Sequence, residues 1–197
     1  MTRGAREMAT AHKLKVTLRS VKPPIWRRIE VASDVTLAGL SDLLEGAMGW
    51  MGGHLHAFEA GGITYERPDP YEGPLRRAKD ENEHRLGDVL AEVGTKMRWD
   101  YDFGDGWQHN VVVEAIEPLV PSVEYPRCVT GRRACPPEDC GGPWGFQELL
   151  EAIADPAHPR HEELTEWLPI DYDPEKFDPH EATDDMRAPR PFANDVW

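Results

Sequence analysis

Apolar and polar residues alternate almost from the start of the chain. Leu14, Val16 and Leu18 fall between Lys13, Lys15, Thr17 and Arg19, which predicts a half-buried strand. Val21-Lys22-Pro23-Pro24 predicts a turn, because Pro24 holds Pro23 extended. Residues 25–31 predict a second strand, with Ile25, Arg27, Ile29 and Val31 on one face and Trp26, Arg28 and Glu30 on the other. Arg27 interrupts the apolar face, so an edge position or a bulge is expected. Residues 36–48 predict a helix, since Leu37, Leu40, Leu44 and Ala47 form one stripe. Ser33, Asp34 or Thr36 can cap it, and Gly49 stops it.

The rest of the chain reads the same way. Residues 55–60 and 63–66 predict a hairpin across Gly61-Gly62, followed by a charged, proline-bearing loop over 67–85. Residues 86–93 predict a short helix, and 96–103 and 107–117 two strands about Gly104-Asp105-Gly106. Residues 118–145 have no regular period. Phe146, Leu149, Leu150 and Ile153 predict a helix over 146–154, and 158–168 another. Beyond Pro169 the chain is rich in Asp, Glu and Pro. It is expected to be anchored by Tyr172 and Phe177 and to fray from about Glu181.

The order β-β-α-β-β-α-β-β, then a cysteine-bearing loop and two helices, is that of an α+β fold. A mixed or antiparallel sheet of hairpins covered by helices is expected. The 197 residues suffice for one good core. The expected division is a disordered leader over 1–12, a single domain over 13–180 and an acidic, proline-containing tail over 181–197. The leader has no hydrophobic segment, and no apolar run approaches the roughly twenty residues that span a bilayer. A soluble, cytoplasmic protein with no membrane partner is therefore expected, its three cysteines reduced.

Charge narrows the choice of partner. The net charge is −14, but residues 1–28 hold eight Lys/Arg against Glu7 alone. The acidic remainder repels phosphate, which argues against nucleic acid. The basic start leaves that route open, or serves to pair with the acidic body. An unknown protein or small molecule is the expected partner.

Three groups of residues carry candidate chemistry. Cys128, Cys135 and Cys140 sit in an irregular loop, where thiolates suit zinc and a metal explains how such a loop stays folded. Plain buried cysteines, or thiols activated by Arg127, Arg132 and Arg133, are the alternatives. A fourth ligand would come from His109, His54 or His56. A two-residue turn at Asp105-Gly106 would set Asp102 opposite His109 and fix its tautomer, whereas a three-residue turn would set Tyr101 there. His54 and His56 would share a strand face, with Leu55 in the core. Asp100 and Asp102 would share another, raising each other's proton affinity. Asp102, Asp105, His109 and Glu138 are therefore the candidates for hydrolytic acid–base work, against a purely structural scaffold. In the third group, Pro136-Pro137-Glu138-Asp139-Cys140-Gly141-Gly142 is costly to specify unless its shape matters. It could fold over the hairpin and close a pocket lined by Trp107, Trp144 and Glu138.

The segments LKVTLRSVKPPIWRRIEV, TLAGLSDLLEGAMGWMGGHLHAFEAGG, YDFGDGWQHNVVVE, YPRCVTGRRACPPEDCGGPWGFQELLEAI and YDPEKFD resemble the plasmid pRiA4b ORF-3-like family, insertion-element passenger proteins. The resemblance covers roughly residues 12–180 and implies a compact α+β domain with a mobile-element association. Its pattern includes His54, His56, Asp102, Asp105, His109, Cys128, Cys135, Glu138, Asp139, Gly141 and Gly142. Relatives often carry an apolar residue at Cys140, which favours two cysteines plus histidines, or no metal.

Overall fold

The computed structural model describes residues 9–68 and 78–189. Residues 1–8 of the expected leader, 69–77 of the charged loop and 190–197 of the expected tail lie outside them. The fold is α+β. Strands β1 (Thr10–Leu18), β2 (Trp26–Ala32), β3 (His56–Ala60), β4 (Ile63–Glu66), β5 (Ala78–Asp80), β6 (Lys96–Tyr101), β7 (Trp107–Pro118) and β8 (Arg127–Arg132) form one sheet in the order β5-β4-β3-β6-β7-β1-β2-β8. Every pairing is antiparallel except β4 with β5. The alternation of β1 buries Leu14, Val16 and Leu18, as the sequence predicts.

Helix α1 (Leu37–Met48) covers the apolar face with Leu37, Leu40 and Leu44 fully buried. Thr36 is the cap, accepting from the Gly39 amide, and Gly49 ends the helix at φ 88°. Helices α2 (Leu86–Val89), α3 (Gly142–Ala154), α4 (His161–Trp167) and α5 (Pro179–Arg187) complete the chain. The open sheet face is laced with ion pairs, among them Lys13–Glu30 at 3.1 Å and Arg28–Glu114 at 2.5 Å. Lys13 and Arg28 of the basic start are thus paired with acids of the domain.

Arg27 resolves its own anomaly. It is 2% exposed, and the β2–β8 register shifts beside it, between Arg28 and Ile29. Its Nε donates to the Ala47 carbonyl at 2.8 Å and its guanidinium lies 4.1 Å over the Phe177 ring. Carbonyls and a ring face thus take the place of a carboxylate.

Several elements differ from expectation. Strand β1 begins at Thr10, inside the expected leader, and His12 beside it is buried, bonded to Ser33 Oγ and the Leu90 carbonyl. Strand β8 lies in the stretch without a period, because a short edge strand need bury only Cys128. Helix α5 occupies residues expected to fray. Asp178 caps it, and Ala182 and Met186 are buried as it packs on α1 and β8. Three helices, not two, therefore follow the cysteine loop.

The β6–β7 hairpin is also different. Tyr101 pairs with Trp107 and Trp99 with His109, so residues 102–106 form the loop and Asp102 does not face His109. His109 instead sits in an aromatic box, 4.5 Å from Trp99 and 5.4 Å from Trp50 between ring centroids. Its Nδ1 donates to the Trp99 carbonyl at 3.2 Å, which fixes the tautomer, and Nε2 is buried without a partner.

Burial holds His109 neutral and pushes its pKa down to about 3. The unfolded imidazole titrates near 6.5, so stability is full above that pH and falls as the pH drops toward 3. Between pH 6.5 and 5, urea unfolding should show a loss of about 2 kcal/mol from this residue. His109→Gln should flatten that slope, at some cost in stability at neutral pH. An unchanged slope in the variant would place the acid sensitivity elsewhere.

Candidate functional site

The site is built on Trp50, the second residue after α1. Its indole stacks on Tyr101 at 4.8 Å and 13°, and its Nε1 donates to the Pro136 carbonyl at 2.9 Å. Tyr101 donates its hydroxyl to Glu138 Oε1 at 2.9 Å, and the Met51 amide reaches Glu138 Oε2 at 3.3 Å. Burial, together with the Glu138 charge, raises the Tyr101 pKa and keeps the phenol a donor. These three hydrogen bonds pin the Pro-Pro-Glu-Asp strap onto the α1–β3 connection and the end of β6. Glu138 therefore positions the strap, and both its oxygens are engaged.

Directly beyond the pin, Asp139 turns back at φ 59°. Asp102 leaves β6 at φ 52°, and its Oδ1 accepts from the Gly104 and Asp105 amides at 2.9 and 3.3 Å. That loop geometry aims Oδ2 at His54 Nδ1, 3.6 Å away, while Asp139 Oδ1 lies 3.8 Å from His54 Nε2. One ligand atom from each of His54, Asp102 and Asp139 lies within 4.8 Å of the others. The three come from the α1–β3 connection, the hairpin loop and the strap. Such a set can coordinate a divalent metal.

The other predicted ligands do not join this cluster. His54 precedes β3 rather than sharing its face with His56, and Leu55 between them is 67% exposed rather than in the core. His56 Nε2 meets the buried Glu81 Oε2 at 2.8 Å. Asp100 pairs with Arg98 at 2.9 Å and not with Asp102. Asp105 keeps Oδ2 buried without a partner. Trp107 is in the core and Trp144 is 88% exposed, so they line no common pocket with Glu138.

Among the described residues, no convergent group of three potential ligands includes a cysteine. Cys128 Sγ lies near the Arg28 and Thr130 carbonyls, and Cys135 Sγ near Met48 Sδ and Arg27 Nη2. Burial raises all three thiols, Cys128 to about 11 and Cys140 to about 12, the latter helped by the Asp105 charge. Arg127 is instead paired with Glu30, and Arg133 with Glu175. Burial therefore opposes the thiolate that the activated-thiol alternative requires. Asp139 is the member of this candidate set that the spacing argument passed over. Its signal was a carboxylate flanked by prolines and glycines, where the backbone must turn sharply.

Residues 10–181 match the plasmid pRiA4b ORF-3-like proteins, and the chain belongs to that family. It is 41% identical over 170 residues to the uncharacterized protein y4hQ of Sinorhizobium fredii, covering 84% of this chain and 85% of that one. A crystal structure of MM3350 from Methanosarcina mazei Go1, a protein of unknown function, superposes with a TM-score of 0.79 at 35% identity. The match covers 88% of this chain and 98% of that chain. The similarity therefore extends to nearly the whole of that structure.

Strap and hairpin come into close approach at Gly142. A Cβ there would press into the Asp105 carbonyl, and its φ is 67°. Gly142→Ala should cost more than roughly 2 kcal/mol in urea unfolding, against about 1 kcal/mol for Gly61→Ala. Gly61 has a similar φ of 58° with nothing within 4 Å of an added Cβ. Equal losses would show that the strap does not press on the hairpin.

Proposed function

We infer that this member of the plasmid pRiA4b ORF-3-like family holds one divalent cation between His54, Asp102 and Asp139, and binds a ligand through the cation's open positions. The convergence of three ligand atoms from three separate segments carries this reading. An imidazole with two carboxylates is a mixed donor set. It suits zinc, manganese or iron better than magnesium, and zinc binds more tightly than manganese in such sites. Donors around tetrahedral zinc sit roughly 3.3 Å apart, so the cluster must close slightly. Asp139, with 76% of its side chain exposed, is free to make that movement.

The surroundings favour a binding role. Met51, Leu55, Phe103 and Trp144 are exposed on the same segments that supply and flank the ligands. Large apolar side chains left exposed beside a candidate site are what a contact surface would use. Among the described residues no helix is long and apolar enough to cross a membrane. A cytoplasmic domain acting through a protein or small-molecule partner fits these features, and a mobile-element role would be that of a passenger.

A second reading is a metal-dependent hydrolase. Three protein ligands leave coordination open, and a cation there would acidify bound water. Glu138 is too fully engaged to serve as a free base, so Asp105 is the carboxylate left for that work.

Isothermal titration of metal-free protein tests the reading. One equivalent of zinc should bind, more tightly than manganese or magnesium. His54→Ala and Asp102→Asn should each weaken it by roughly 100-fold or more. Cys128→Ser should leave it unchanged. Zinc binding that survives both ligand variants, or vanishes with Cys128→Ser, would refute the site. Turnover of ester or phosphoester probes by the zinc-loaded protein, abolished in Asp105→Asn, would favour the hydrolase.

A further inference from the structure

A cleft of about 500 Å³ opens against the strap, walled by the end of α1, the Ala134–Glu138 segment, the 169–178 loop and α5. Its walls are apolar, with Ala47, Met48, Pro136, Pro137, Phe177 and Ala182 among them. Its charge is one-sided. Glu138, Asp171, Asp173, Asp178, Glu181 and Asp185 line it, against Arg27 and Lys176 alone. Arg27 is committed to carbonyls and the Phe177 ring, and Lys176 reaches Glu181 at 3.5 Å. The C-terminal turn of α1 also borders the cleft, where its carbonyls favour positive charge.

We propose that this cleft binds a linear aliphatic polyamine. Methylene segments match the apolar walls, and ammonium groups match the acidic rim and the helix C-terminus. An anionic ligand would face six carboxylates with both local cations already engaged. Glu138, Asp178 and Glu181 already hold partners, but the six carboxylates still outnumber the two cations, and a neutral apolar ligand would leave that excess of negative charge in place. A polyamine answers both features, since its charges are spaced by carbon chains. The cleft touches the strap and the α1–β3 connection but is lined by none of His54, Asp102 and Asp139, so the two sites are separable.

Titration of the full chain with spermidine at about 150 mM salt, near physiological ionic strength, tests the proposal. One molecule should bind per chain. Asp171→Asn combined with Asp173→Asn should weaken binding at least tenfold, because both carboxylates are exposed and the fold does not need their charge. His54→Ala should bind spermidine as the parent does, which separates this site from the metal cluster. Magnesium at matched charge should not displace the polyamine. Equal affinity in the double variant, displacement by magnesium, or binding of several molecules per chain would reduce the interaction to general screening and overturn the proposal.

Discussion

The placement of the Trp50 indole is the constraint on which the site depends. The ring closes the aromatic core, contacting Trp99, Tyr101, Trp107 and His109. Its one polar atom must find an acceptor when buried, and the acceptor is the Pro136 carbonyl. A strap without regular structure is thereby tied to the aromatic cluster of the core. Tyr101 repeats the device from the opposite side of the stack, with Glu138 as acceptor. The rigidity of the aromatic cluster is passed to Asp139 through side-chain hydrogen bonds rather than through secondary structure. The left-handed turns at Asp102 and Asp139 then aim their carboxylates at one imidazole.

Elements with a hydrophobic period were legible in the sequence. The α1 stripe, the β1 alternation and the two hairpins follow from spacing alone, because each buries one continuous face. The bulge beside Arg27 was legible for the same reason, since a charge on an apolar face needs a local exception. Strand β8 and helix α5 were not legible. β8 is an edge strand with one buried side chain, so it has no alternation to read. α5 offers only Ala182 and Met186 to the core, among acids that suggest solvent. Their positions are set by what they cover, which is tertiary information.

The site was legible as residues but not as a grouping. His54, Asp102 and Glu138 stood out by type and spacing, and all three lie at or beside the cluster. The cysteines stood out more and do not converge. Thiols are prominent in a sequence because of what they can ligate, yet in a core they also behave as small apolar groups. Cys128 and Cys135 are buried in this second way, where desolvation opposes the thiolate a metal requires. The hairpin misled for a different reason. A Gly-Asp-Gly run suits a tight turn, but Asp102 can take a left-handed conformation and bond the Gly104 and Asp105 amides itself. It lengthens the loop to five residues and shifts the register opposite His109.

The choice of Asp over Asn at positions 102 and 139 is the strongest physical argument for a cation. Both residues adopt positive φ, a conformation that Asn and Asp tolerate about equally well. The side-chain acceptor that Asp102 presents to the Gly104 amide would serve as well from an amide oxygen. Backbone geometry thus accounts for an Asx residue at each position but not for its charge. In a chain whose net charge is −14, bringing two of its carboxylates beside one another adds repulsion that the local turns do not need. A protonated His54 would offset part of it. A divalent ion would offset all of it and would explain why three segments far apart in the chain deliver oxygen and nitrogen donors to one point.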